Sequence, residues 1–488
     1  MKLTTPVAHR AAGVMLAMAC GDALGAPYES APPLPTGTPI AMTGGGELGW
    51  NPGEWTDDTA MAIPLLRAAA EGKDLRREDV QDDIARRWSE WARSATGLGA
   101  QTGAILASAE PTAAGLRRAA QEYHDSHGGR SAGNGSLMRT APLALAYLPN
   151  PFALAEAARA ISDLTHADPD AGDACVIWAL AIRYSVLSGD LDVRIGLDAL
   201  PAERRGLWAD RIEAAERSVP ADFEHNGWVV EAFQAAWASM RNVRLLMDVD
   251  HSEADLLRQS IENAVRGGRD ADTVAAITGA LAGARYGVSA VPAEWRSLVH
   301  GWPGLRGADL VRLGLTAARN GRQNRNQWPS APRVDYSAYG DVSTLVRHPH
   351  DPKVWLGAVG ALDALPDEVD AVVSLCRVGP VQVPDRIREH LEVWLVDDPS
   401  PEKNPNLEFV LYDTVDAIAR LRAHGRTVLV HGATARSRTP TVAALYSARH
   451  LGRPMDEVLL DLQRVLPAAS PNEAFMDALR PRRVWQGY

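Results

Sequence analysis

Cysteine is scarce: Cys20, Cys175 and Cys376 stand far apart among 488 residues, with no Cys-x-x-Cys spacing. That argues against a disulfide framework or a zinc ribbon and makes a reducing cytoplasm the expected compartment. Lysine is confined to Lys2, Lys73, Lys353 and Lys403, and the net charge is −11. With no long basic stripe, nucleic acid is not expected as a partner. Long uninterrupted apolar runs are also missing, so no membrane-spanning segment is expected. The stretch "AAGVMLAMAC" (11–20) follows His9 and Arg10 and could pass for a short signal peptide,. Val14, Met15, Met18 and Ala19 recur at helical spacing, however, and favour an amphipathic core helix,.

What is present is the composition of a multidomain globular chain, with 46% hydrophobic and 23% charged residues,. Residues 1–318 are Ala-rich with apolar residues at helical spacing, and predict an all-α domain with helices over 153–160, 171–187, 229–247 and 273–285,. Residues 319–345 are polar and aperiodic, and predict a linker or a draped connection,. Residues 346–488 alternate helical patterns with short β-branched runs at 371–376, 392–396 and 427–432, which predicts an α/β domain with a mostly parallel sheet,. No internal repeat links the two regions. The sequence does not give the oligomeric state.

Two acidic clusters in the helical region carry chemistry. "WTDDTAM" (55–61) sets Asp57 and Asp58 between two threonines at the head of an apolar helix. One such residue is explained by helix capping; Thr-Asp-Asp-Thr is more than a cap requires. "GGRDADT" (267–273) places Asp270 and Asp272 in an expected extended loop before a helix whose Gly279, Gly283 and Gly287 leave one face bare,. Four carboxylates with threonine hydroxyls form an all-oxygen set suited to hard cations such as magnesium, manganese or calcium, with charge enough for two.

Five motifs in order then resemble the ADP-ribosylglycohydrolase family across nearly the whole helical region. They are "GDALGAPYE" (21–29), "WTDDTAM", "GNGSLMR" (133–139), "LTHADP" (164–169) and "DADT" (270–273). The resemblance implies two divalent cations, magnesium or manganese, held by Thr56, Asp57, Asp58, Asp270, Asp272 and Thr273. It implies catalytic roles among Glu29, Asp57, Asp58 and Asp272, and an ADP-ribose pocket lined by Gly133, Asn134, Gly135 and His166. The implied partner is an ADP-ribosylated protein or a small ADP-ribose conjugate. By residue type alone, Asn134 between glycines reads equally as a turn, and His166 as a satisfied core histidine.

The stretch "TVLVHGATARSRTP" (427–440) resembles the phosphate loop of dual-specificity phosphatases, with His431, Arg438 and Thr439 in place and Gly432 where that family has its cysteine nucleophile. Asp397 and Asp398 follow "VWLV", where the family places its general acid. The loop is expected to bind phosphate through Arg438 and the helix N-terminus without turning it over. Cys376 is expected to be buried in a strand. Two other readings of the chain stay open: a phosphatase-derived phosphate-binding pseudoenzyme, and a non-enzymatic structural relative of the glycohydrolases.

Overall fold

The computed structural model describes residues 3–246 and 252–480. Among these, one compact unit runs to Val291 and resumes over Leu298–Arg322; the other takes Pro292–Ser297 and the chain from Gln323 onward.

The first unit is helical. Four of its helices, Pro151–Ser162, Pro169–Ser188, Val229–Leu246 and Ala271–Tyr286, coincide with the segments expected from periodicity. Met247, the last residue of the third expectation, lies outside the described residues. Outside its helices the unit carries a two-residue antiparallel ribbon, His300–Gly301 with Leu305–Arg306. The ribbon has a use: the His300 carbonyl accepts from Trp55 N–H at 3.0 Å, which pins the chain immediately before Thr56.

At the centre, the helix Thr5–Gly25 crosses the helix Ala271–Tyr286 at backbone contact. A Cβ added to Gly21 would lie 2.1 Å from the Ala275 carbonyl oxygen, and one on Gly279 would lie 2.2 Å from that of Ala17. Gly283 meets Gly13 in the same way, and Gly25 sits on the Cα of Asp272. The bare face expected at Gly279 and Gly283 is therefore half of an interface whose other half is Gly13, Ala17, Gly21 and Gly25. Gly287 does not belong to it: it follows the helix at φ +80° beneath the His9 ring. From Ala11 to Gly25 the first helix is buried on every side, so it is a central helix rather than an amphipathic one. The expectation that no segment could span a bilayer needs correcting for Pro169–Ser188, which has the length and mean hydropathy to do so. Its surface is buried within the unit, which accounts for its apolar character,.

The second unit holds a five-stranded sheet. Leu345–Arg347 runs antiparallel to Val354–Gly357; Val354–Gly357, Val428–His431, Ala371–Ser374 and Glu389–Glu392 follow in that order, all parallel. The helices Leu407–Ala423 and Arg438–His450 pack in its core with Val354, Val373, Val430 and Val442. The strand expected at 392–396 is displaced: the ladder ends at Glu392, and Val393 and Leu395 bury in the core as the chain leaves the sheet edge toward Asp397. From Gln323 the polar stretch belongs to this unit and is anchored to it at a few buried residues, with much of the rest exposed. Trp328, Ala331 and Val334 are buried, the Trp328 ring meets Trp394 edge-on at 5.7 Å, and Val334 N–H donates to Gln382 Oε1 at 3.0 Å.

Candidate functional site

The crossing of the two central helices brings together three carboxylates from three parts of the sequence. Asp22 comes from the first helix, Asp58 from the helix Asp57–Ala70, and Asp272 from the first turn of Ala271–Tyr286. One oxygen from each lies within 4.8 Å of the others, and all three residues are buried. Asp272 is thus helical rather than in an extended loop, with Asp270 as the residue that begins the helix.

The local bonding fixes this cluster. Asp22 Oδ1 accepts from Thr56 N–H at 2.8 Å; its Oδ2 accepts from Thr59 N–H at 2.9 Å and from Thr59 Oγ1 at 2.6 Å. Asp22 therefore supplies the capping oxygens at the start of this helix, and the Thr56 hydroxyl, at the cap position, donates instead to Asp58 Oδ2 at 2.9 Å,. Thr273 Oγ1 approaches the same oxygen at 3.4 Å. Asp22 was overlooked in the sequence, although it lies in "GDALGAPYE". The available signal was its place seven residues before Glu29 on a glycine-spaced helix.

Asp58 Oδ1 and Asp272 Oδ1 are buried oxygens without a hydrogen-bond partner. Two orphaned carboxyl oxygens beside threonine hydroxyls are what an oxygen-coordinated cation would satisfy, so the residues present fit a hard divalent metal. The electrostatics agree. Burial raises every carboxyl here, and neighbouring negative charge adds to it: Asp57 is pushed up to about 7, Asp22 by burial to about 6, and Asp58 and Asp272 well above the ordinary range,.

A cleft of about 670 Å³ opens beside this cluster. Asp57, Asp270, Asp272, Thr273 and Glu29 line it, as do Gly133, Asn134, Gly135 and His166. Asp57 Oδ2 accepts from Gly99 N–H at 3.2 Å. Glu29 is half-buried, and burial followed by the charge of Asp270 raises its carboxyl. The loops carrying Glu29 and Asp270 are stitched together: Ser30 N–H donates to the Arg269 carbonyl at 2.7 Å, and Arg269 N–H to that of Ala31 at 2.6 Å. Both Ser30 and Arg269 hold positive φ, at 62° and 61°, a strained pair flanking the cleft,.

Asn134 does more than turn the chain. Its Nδ2 donates to Asp270 Oδ2 at 2.7 Å and to the Asn226 carbonyl at 2.9 Å, while Asn226 Oδ1 accepts from Asp270 N–H at 3.1 Å. Asn226, which no motif pointed to, thus locks the two loops together. Neither Gly133 nor Gly135 has positive φ. Their reason is space, since a Cβ on Gly133 would come within 3.2 Å of His166 Nε2.

In the second unit, the loop after Val428–His431 leads into Arg438–His450 as expected. His431 is buried, with Nε2 2.7 Å from Ser374 Oγ and Nδ1 3.8 Å from Cys376 Sγ. Cys376 lies past the strand rather than within it, and burial pushes its thiol up to about 11. The Arg438 fork is partly engaged: Nη1 donates to the carbonyls of Leu375 and Leu395 at 2.8 and 3.1 Å, and Nε lies 3.9 Å from Asp397. Thr439 Oγ1 donates to the Gly357 carbonyl at 3.2 Å. Asp397 accepts from Ser437 Oγ at 2.7 Å and so reaches the loop, whereas Asp398 turns to Lys403, whose hydrogen bond holds its carboxyl down at about 2. A Cβ on Gly432 would meet Thr439 Oγ1 at 3.1 Å and no other atom closer than 3.9 Å.

The chain is similar to several known proteins. The ADP-ribosyl-[dinitrogen reductase] glycohydrolase of Rhodospirillum rubrum is 32% identical over 308 residues, covering 60% of this chain and 92% of that protein. The ADP-ribosylarginine hydrolase Tri1 of Serratia proteamaculans is 27% identical, covering 59% and 74%. Among solved structures, human DUSP28 is 29% identical, with 28% of this chain and 89% of that one covered and a TM-score of 0.24. A family model described as ADP-ribosylglycohydrolase matches residues 3–325. Together with the buried carboxylate cluster and its cleft, that match places the chain in the ADP-ribosylglycohydrolase family.

Proposed function

We propose that the helical unit hydrolyses the bond between ADP-ribose and an arginine side chain, using two magnesium or manganese ions. The observation that carries this reading is the pair of orphaned oxygens, Asp58 Oδ1 and Asp272 Oδ1, buried beside an acidic cleft. Thr56, Asp57, Asp58, Asp270, Asp272 and Thr273 would hold the ions. The ions would supply charge to fix the ribose hydroxyls and to polarise the bond at the anomeric carbon.

The chain's own groups account for the rest. Glu29, with its raised carboxyl, accepts a proton from the attacking water; the water oxygen bonds to the anomeric carbon as the bond to the leaving nitrogen breaks, and the proton held by Glu29 then passes to that nitrogen,. Five carboxyl groups line the cleft, those of Glu29, Asp57, Asp270, Asp272 and Glu224, and the charge of Asp57, Asp270 and Asp272 would be offset by the ions they hold. The choice of an arginine linkage is supported by the relative named as an ADP-ribosylarginine hydrolase. The test is manganese binding followed by electron paramagnetic resonance. Two ions per chain are expected, lost together in Asp58→Asn with Asp272→Asn. A chain that binds neither metal nor ADP-ribose would instead be the structural relative.

For the second unit we propose a phosphate-binding loop that lacks its nucleophile. The support is Gly432 at the nucleophile's place, beside Arg438 and Asp397; an added Cβ there meets one tight neighbour, the Thr439 hydroxyl, which must give by a few tenths of an ångström. Gly432→Cys is expected to give a burst of phosphate from an aryl phosphate. A folded variant without a burst would mean that more than the sulfur has been lost.

A further inference from the structure

His166 is 1% exposed yet lines the cleft. The two edges of its ring have different surroundings. Nδ1 lies 2.7 Å from Thr165 Oγ1, and among the described residues Thr165 is the ring's only hydrogen-bond partner. The opposite edge faces Gly133 and Gly135, where an added Cβ would come within 3.2 Å of Nε2 and of Cε1 respectively. The imidazole therefore turns an unpartnered nitrogen toward the cleft across a backbone kept bare of side chains.

Which nitrogen carries the proton is decided one residue back. Arg139 is fully buried, stacks on Trp88 with its guanidinium carbon 4.2 Å from the ring centroid, and donates from Nη2 to Thr165 Oγ1 at 2.6 Å. A guanidinium has donors only, and this one keeps its charge at neutral pH, since burial lowers it only to about 10,. Thr165 Oγ1 is thereby the acceptor toward Arg139. One hydroxyl proton and one lone pair remain, and among the described residues His166 Nδ1 is the only acceptor in reach of that buried hydroxyl; donating there avoids an unmatched donor, and a ring nitrogen that accepts leaves the ring proton on the other,. Burial, with the charge of Arg139 behind it, also holds the His166 pKa well below its ordinary value, so the ring takes no second proton.

We propose that Arg139 and Thr165 are positioning residues that lock His166 as a neutral imidazole presenting Nε2–H to the cleft, as a donor to a diphosphate or ribose oxygen. The opposite tautomer would aim a lone pair at that oxygen and repel it. The identity of the acceptor rests on the functional reading above; the tautomer does not. Gly133 and Gly135 are part of the same device, because side chains there would press on the edge that must stay open.

The tautomer can be read directly. In the full chain labelled with ¹⁵N-histidine, the ring of His166 is identified by its loss in His166→Gln. A pyridine-type Nδ1 and a pyrrole-type Nε2 are expected. Thr165→Val removes the hydroxyl at nearly constant shape. It is expected to abolish that signature and to raise the dissociation constant of free ADP-ribose about tenfold, with manganese affinity unchanged. Thr165→Ser is expected to restore both. A pyrrole-type Nδ1 in the wild type, or a valine variant with an unaltered ring signature, overturns the relay. The wild-type spectrum decides the matter even if the valine variant does not fold. Failure of the wild type to bind ADP-ribose would contradict the functional reading while the ring signature still judged the relay.

Discussion

One carboxylate, that of Asp22, takes three donors at the start of the helix Asp57–Ala70 and also stands within the cluster of Asp58 and Asp272. Asp22→Asn keeps one acceptor oxygen but turns an NH₂ toward Thr56 or Thr59, leaving a buried donor unmatched. Unfolding in urea should show a loss of about 1–3 kcal/mol, and manganese affinity should fall at least about tenfold. Unchanged manganese affinity would mean that Asp22 shapes the helix alone. This residue also marks what was legible at its scale. Asp57, Asp58, Asp270 and Asp272 stood out in the sequence because adjacent carboxylates exceed the needs of a cap. Asp22 and Asn226 did not, since a lone polar residue shows its purpose only when distant backbone donors arrive beside it.

At the scale of elements, the site depends on how closely two helices approach. Gly279→Ala would by intrinsic propensity gain about 1 kcal/mol, as an alanine does in a helix. Here its Cβ would be 2.2 Å from the backbone oxygen of Ala17, so the helices must part. The expected net result is a destabilisation of about 1–3 kcal/mol in urea, with weaker manganese binding, because Asp22 and Asp272 ride on the parting helices. Gly206→Ala is the counter-case. Gly206 lies on the exposed face of the helix Ala202–Glu216 with nothing within 4 Å of the added carbon, and the change should stabilise by up to about 1 kcal/mol,. Helices over 153–160 and 273–285 were readable because their apolar residues repeat with the period of a helix. The strand expected at 392–396 was misplaced because buried apolar residues continue past the end of the ladder. A β-rich pattern reports burial there, not pairing.

At the scale of the whole molecule, the carboxyl cluster couples metal to pH. Raised native-state pKa values mean that the folded chain holds protons on Asp22 and Asp57, up to about 6 and 7, which the unfolded chain has already released,. Their contribution to stability is present below the ordinary carboxyl range and is lost as pH rises through those values. The buried His9, His348 and His431, lowered to about 3, 4 and 4, act oppositely below neutrality, but equally with and without metal. The metal-dependent difference isolates the cluster: the rise in Tm on adding manganese should be large at pH 8 and small at pH 5, where protons compete. A rise that is equal at both values would place the metal elsewhere.

The central claim is tested most directly by release of ADP-ribose from an ADP-ribosyl-arginine peptide. The assay is run with magnesium or manganese, then with chelator, beside an Asp57→Asn, Asp272→Asn double variant. The account predicts release that needs metal and is lost in the variant. Release that persists in chelator or in the variant would contradict it, and so would a wild type that binds both metal and ADP-ribose yet leaves the arginine linkage intact.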